Sequence, residues 1–226
     1  YQAKTPREQF MMLEGTQLML SQSKRPSERA LAGKLKGYLD STFRQIWRTD
    51  PSAKRELQEK IGATYAILAR VVKPSVLAKL PKLTFVPVEG RNAVAAAYTD
   101  KPIIQVTKST SIEDLLHEIG HIIEYKDFKT LARSHNVMIQ RAFGKPAEGL
   151  QAIMTDLKGP GWNYSPSQRA FRGNATDPYI LRTYKDGWTE ATSMGVQQLQ
   201  TKETAKKFFL EDGAHFLMTL SSLQSE

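Results

Sequence analysis

The segment His117-Glu118-Ile119-Gly120-His121 restricts the possible folds of this chain more than any other stretch. On an α-helix, residues four apart share one face, so both imidazoles can point at a single ion. Glu118 stands beside them, where its carboxylate reaches an ion-held water without binding the ion. That spacing lets Zn2+ acidify the water while the carboxylate removes its proton. With four histidines and 14 glutamates in 226 residues, chance supplies only about 0.004 such patterns.

The surroundings predict the required helix. Thr110 and Glu113 stand at capping-box spacing before an apolar-periodic run that reaches Tyr125. Ahead of it lie three short runs, Leu83 to Val88, Ala93 to Tyr98 and Ile103 to Val106. Gly90-Arg91-Asn92 and Asp100-Lys101-Pro102 separate them as turn signals. They predict a small, mainly antiparallel sheet, with Ile103 to Val106 as an edge strand along which a substrate would lie.

Residues 1–78 read as helical. A short helix is expected from Thr5 to Leu20, and a second is built on Leu31, Leu35, Tyr38, Leu39, Phe43, Ile46 and Trp47. After the restart at Asp50-Pro51, a long one carries Leu57, Ile61, Tyr65, Leu68 and Val72 up to Lys73-Pro74. Residues 144–188 read as irregular, broken by Gly159-Pro160-Gly161, Ser165-Pro166 and Asp177-Pro178. A helix is expected from near Thr189 and a last one from Thr201 to Leu223. The expected fold class is α+β: a helical N-terminal region over residues 1–78, then a domain over residues 79–226.

Composition removes several alternatives. There is no cysteine, so thiol nucleophiles, disulfides and Cys-ligated metals are excluded. No stretch approaches 18 continuous apolar residues, so no helical membrane span and no membrane partner are expected. Tyr1 is followed by no charged-then-apolar stretch, so no secretory leader is expected. The net charge of +9 favours polyanions, but the basic residues are dispersed and no basic helix interleaves aromatics. At most salt-sensitive, sequence-blind nucleic-acid contact is expected.

A catalytic zinc takes three protein ligands and keeps one position for water. A metzincin would need glycine at position 124 and His or Asp at 127; this chain has Glu124 and Asp127, so Asp127 lacks the sharp turn. Glu124 faces the right way but would strain to reach the same ion. A carboxylate on a second helix is the gluzincin solution, and Glu190, opening the helix near Thr189, fits it best. Asp127 remains the alternative, with Glu148 and His135 behind it. An oxyanion donor is also needed, and Tyr179, Tyr184 and His215 are the candidates. Ser193 and Met194 are expected to form a tight turn below the metal, and Gly159-Pro160-Gly161-Trp162 a flexible rim.

One further pattern follows the histidines: Asp177-Pro178-Tyr179, Tyr184 and Thr189-Glu190-Ala191-Thr192-Ser193-Met194-Gly195. This order, over about residues 83–200, resembles the zincin-like metallopeptidase domain of tailed-phage minor head and head-morphogenesis proteins. There a Thr-Glu-x-x-Ser-Met-Gly stretch follows the HExxH helix. The resemblance implies a zincin-like fold, with His117, His121 and Glu190 binding zinc and Glu118 as the base. It also implies a virion or bacterial-host setting.

The function expected from these features is zinc-dependent peptide hydrolysis by a phage head-associated protein. Its partners would be a protein or peptide substrate and other virion proteins such as capsid and portal. A head-assembly protein that keeps the fold for architecture, with little turnover, is the alternative, and a delivered metallopeptidase toxin is a third possibility.

Overall fold

The computed structural model describes residues 20–21, 25–34, 51–81, 83–87, 96–98, 103–107, 109–161, 164–165, 167–184 and 187–224. The helix expected from Thr5 to Leu20 lies almost wholly outside them. Of the second expected helix, residues 26–34 are helical and the remainder falls outside the described residues.

Helix α1 (Pro51–Val71) begins on a proline, whose fixed φ suits a first helical position. Its stripe of Leu57, Ile61, Tyr65 and Leu68, with Val72 just beyond, is buried. Lys73, extended as a residue before proline must be, separates it from α2 (Pro74–Lys79). Strands β1 (Thr84–Pro87), β2 (Ala96–Tyr98) and β3 (Ile103–Val106) follow, then α3 (Ile112–Lys126), which carries both histidines.

The first sheet has the order β1-β3-β2. This corrects two expectations. β1 and β3 run parallel, so only the β2–β3 pair is antiparallel. β3 is also the central strand and not the edge, so its backbone is already paired on both sides and cannot receive a substrate chain. The physical reason is the crossover: β2 pairs on the far side of β3, leaving β1 to flank β3 in the same direction. Ile104 and Val106 alternate inward along β3 and join the α1 stripe, Leu115, Leu116, Ile119 and Ile122 of α3, and Leu223 in one core.

α3 starts one residue later than expected. Ser111 is the N-cap and exchanges bonds with Asp114, while the Thr110 hydroxyl accepts from Thr107 N. At its other end Asp127 caps α4 (Phe128–Arg141), accepting from Lys129 N, Thr130 N and the Thr130 hydroxyl. These bonds outweigh partial burial and hold its carboxyl below the usual range. Asp127 is therefore a helix cap and does not join the residues that gather with the histidines, which corrects its candidacy as a ligand.

Residues 144–188 are not irregular. They contain most of a second antiparallel sheet, β4 (Ala142–Gly149), β5 (Arg169–Gly173) and β6 (Arg182–Thr183), in that order. They also hold α5 (Leu150–Lys158) and a 3-10 turn (Pro178–Leu181). β4 bulges between Phe143 and Glu148, where Gly144 and Pro146 lie; such residues hide a strand from sequence pattern. Leu150, Ile153, Met154 and Ala170 form the small core beneath this sheet.

The last expected helix is two: α7 (Lys202–Glu211) and α8 (Gly213–Gln224). Asp212 interrupts them and caps α8 by accepting from His215 N. Between β6 and α7 runs α6 (Ala191–Gln197), which contains Ser193 and Met194; these are helical and buried, not a tight turn. The architecture is a mixed one of helices with two small sheets, compatible with α+β. No helix among the described residues is long and apolar enough to cross a membrane.

Candidate metal centre

Helix α3 crosses α6 at backbone contact. A Cβ on Gly120 would come within 2.5 Å of the Ser193 Cα. Only glycine permits this approach. It brings the start of α6 onto the histidine face of α3.

His117, His121 and Glu190 meet there, each offering one ligand atom, all within 4.8 Å of one another. Glu190 Oε2 lies 3.2 Å from His117 Nε2 and 3.1 Å from His121 Nε2. Tetrahedral bonds of about 2.0–2.1 Å would set ligand atoms roughly 3.3–3.4 Å apart, a spacing that the two Glu190–histidine distances approach. Two imidazoles and a carboxylate are also the right chemistry for a borderline-soft dication. The described residues thus form a site able to hold a metal ion.

Surrounding groups orient His117 and Glu190. Gln197 Oε1 lies 2.7 Å from His117 Nδ1. A carbonyl oxygen only accepts, so Nδ1 carries a proton, and Nε2, which faces Glu190, is the nitrogen that an ion would take. Gln197 in turn donates to Glu113 across 3.3 Å. Glu190 is fully buried and divides its oxygens. Oε2 faces the histidines and accepts from the Ser193 hydroxyl at 2.9 Å; Oε1 accepts from the Tyr184 hydroxyl and, at 3.2 Å, from Arg182. Arg182 also donates to the Tyr179 hydroxyl and lies over the rings of Tyr179 and Tyr184.

The electrostatics favour a cation. Burial alone would raise the Glu190 carboxyl, but the His121 charge and bonds from both histidines hold it well below the usual range. Burial pulls the His121 imidazole down, yet Glu190, with Glu118 and Glu124 behind it, lifts it to about 9. Without metal, a proton does the ion's work at His121. Glu118 is nearly buried on the same turn of α3.

Glu124 is buried too, but it does not reach the ligand cluster: its Oε1 accepts from Thr189 N and the Thr189 hydroxyl. Burial pushes its carboxyl up to about 7 against those bonds.

The remaining candidates have other positions. His135 Nε2 meets the Gly187 carbonyl at 2.5 Å and so anchors the segment leading to Glu190. His215 is buried, with Nε2 2.6 Å from the Ala191 carbonyl on the helix backbone. Burial lowers its basicity. Glu148 pairs through its backbone with Ala170, and its side chain lies outside the described residues. Tyr179 stands with its ring 6.3 Å from that of His117 and stacks on Tyr164. Gly159 and Gly161 adopt φ of 90° and 109° where the rim was expected.

Arg182, Gln197, Gly120 and Thr189 carry functional contacts that sequence reasoning missed. Two had a signal. Gln197 lies seven residues after Glu190, on the same helical face, and Arg182 lies two before Tyr184, on the same side of an extended segment. No protein-family model matches the chain, and comparison with curated proteins and with solved structures finds no match either.

Proposed function

We propose that this protein is a zinc-dependent peptidase of gluzincin type that works in the head of a tailed phage, or in its bacterial host, on a protein or peptide substrate. The observation that carries it is the Glu190 carboxylate oxygen lying 3.2 and 3.1 Å from two imidazole nitrogens whose helix also bears Glu118. Among the described residues three protein atoms form that cluster, where a structural zinc would take four, and this favours catalysis over architecture. The Thr189-to-Gly195 pattern supports the phage setting.

His117, His121 and Glu190 would hold the ion. When bound, zinc supplies Lewis-acid chemistry, polarising a carbonyl and acidifying a water. Glu118 takes the proton of the attacking water and passes it to the leaving amine. Tyr184 gives its hydroxyl to Glu190 and so holds a ligand. Tyr179 accepts from Arg182 and keeps its own proton, since burial, reinforced by Glu190, pushes its phenol pKa up. It is thus the better donor to the developing oxyanion.

The test is Glu118→Gln in purified, zinc-reconstituted protein against a peptide library. Zinc content should stay at wild-type level while cleavage falls by roughly 10²–10⁴-fold. Retained cleavage removes Glu118 from the mechanism. Zinc without any turnover in the wild type favours the architectural role. Copurification with capsid and portal proteins tests the virion setting, and a protein absent from particles argues against it.

A further inference from the structure

The hydrogen bonds behind the third ligand contain an arrangement that a packing role does not require. Glu190 occupies the N-cap position of α6, with φ −101° and ψ 1°, yet its side chain makes no capping bond. Thr189 takes over that work: its hydroxyl accepts from Ala191 N at 3.1 Å. The same hydroxyl donates to Glu124 Oε1 at 2.8 Å, and the Thr189 backbone N–H donates to that oxygen at 3.1 Å. Glu190 is thus flanked by a residue tied twice to α3 and once to the first turn of α6.

Glu124 stands on the ligand face of α3, seven residues after His117 and three after His121. It has no exposed surface, and its second oxygen has no hydrogen-bond partner. A carboxylate is an unfavourable core residue with one oxygen unsatisfied, and an aliphatic side chain would fill the position at lower free energy. The single oxygen that accepts both Thr189 donors explains its presence.

We propose that Glu124 and Thr189 are positioning residues of the metal centre: the Glu124 carboxylate clamps Thr189 to α3, and this fixes the neighbouring Glu190 with Oε2 against His117 and His121. The clamp works through a ligand and touches neither ion nor substrate. It rests on the metal-binding reading above.

The experiment measures the zinc dissociation constant of the full chain by competition with a chromophoric chelator. Wild type, Thr189→Val and Thr189→Ser are compared, with the melting temperature of each metal-free form. Valine keeps the volume and the backbone bond but loses both hydroxyl bonds. Zinc affinity should fall by roughly 10–100-fold, the usual loss for a group that orients a ligand. Serine should restore it. A Thr189 that served only packing would move the metal-free melting temperature and leave zinc affinity unchanged. Equal affinity in wild type and a folded Thr189→Val therefore overturns the clamp alone. A wild type that binds no zinc removes the metal site itself and the clamp with it. If the valine variant does not fold, Thr189→Ala carries the same prediction with less bulk.

Discussion

Gly120 sits so close beneath Ser193 that a Cβ on it would stand 2.5 Å from the Ser193 Cα and 3.1 Å from its backbone nitrogen. This contact sets the distance between the helix bearing two ligands and the one bearing the third. Replacing Gly by Ala within a helix ordinarily stabilises by up to ~1 kcal/mol. Here the obstacle is backbone, which cannot swing aside, so the clash wins. Gly120→Ala should destabilise the protein by about 1–3 kcal/mol in chemical denaturation and weaken zinc binding. Gly33→Ala is the control, because its Cβ would meet nothing within 4 Å. A Gly120→Ala protein as stable as the control would show that the helices do not approach this closely.

The two tyrosines should separate by phenotype. Tyr184 bonds the outer oxygen of Glu190, whereas the Tyr179 hydroxyl accepts from Arg182 beside the His117 ring. Tyr184→Phe should raise the zinc dissociation constant by roughly tenfold or more. Tyr179→Phe should leave zinc binding intact and lower kcat by about 10²–10³-fold. Steady-state kinetics at saturating zinc, alongside chelator competition, reads both. Loss of metal in Tyr179→Phe, or loss of turnover alone in Tyr184→Phe, would exchange the roles.

The pH dependence of stability follows from two buried groups. In the metal-free protein His121 holds its proton to about pH 9, against 6.5 for the unfolded residue. Its contribution is complete below the unfolded value and disappears as pH rises through the folded one. Glu124, at about 7 folded against 4.5 unfolded, acts in the same sense over its own interval, because burial penalises its ionised form. The chelated protein should therefore melt lower at pH 9 than at pH 6, by on the order of 5–10 °C. Zinc replaces the proton on His121, so its affinity should climb with pH and the loaded protein should lose less. Calorimetry on chelated and loaded samples at both pH values checks this; a chelated protein that gains stability toward pH 9 would contradict it.

Local periodicity made part of this site readable. The spacing of His117, Glu118 and His121 needs only the helix that carries them, and Glu190 announced itself by opening another. The rest depends on distances between elements. Ser111 and Thr110 can both cap, and which one does is decided by the chain leaving β3, not by the box pattern. Asp127 stands only as the alternative to Glu190 in the sequence, because a helix cap and a metal ligand use the same residue type. Gly144 and Pro146 disguised β4, so the sheet that delivers Arg182 went unseen, and with it the partner of Glu190. The parallel pairing of β1 with β3 is a fact of topology that strand-length patterns do not encode. Gly120 carries no local signal of its contact, since its neighbour Ser193 is 73 positions away in the sequence.

Anomalous diffraction at the zinc edge, from crystals of the zinc-loaded protein, bears most directly on the metal centre. One strong peak is expected within about 2.0–2.2 Å of His117 Nε2, His121 Nε2 and a Glu190 oxygen, with Glu118 alongside but not bonded. Absence of a peak there, or a peak bonded elsewhere with Glu190 turned away from the histidines, would contradict this metal centre.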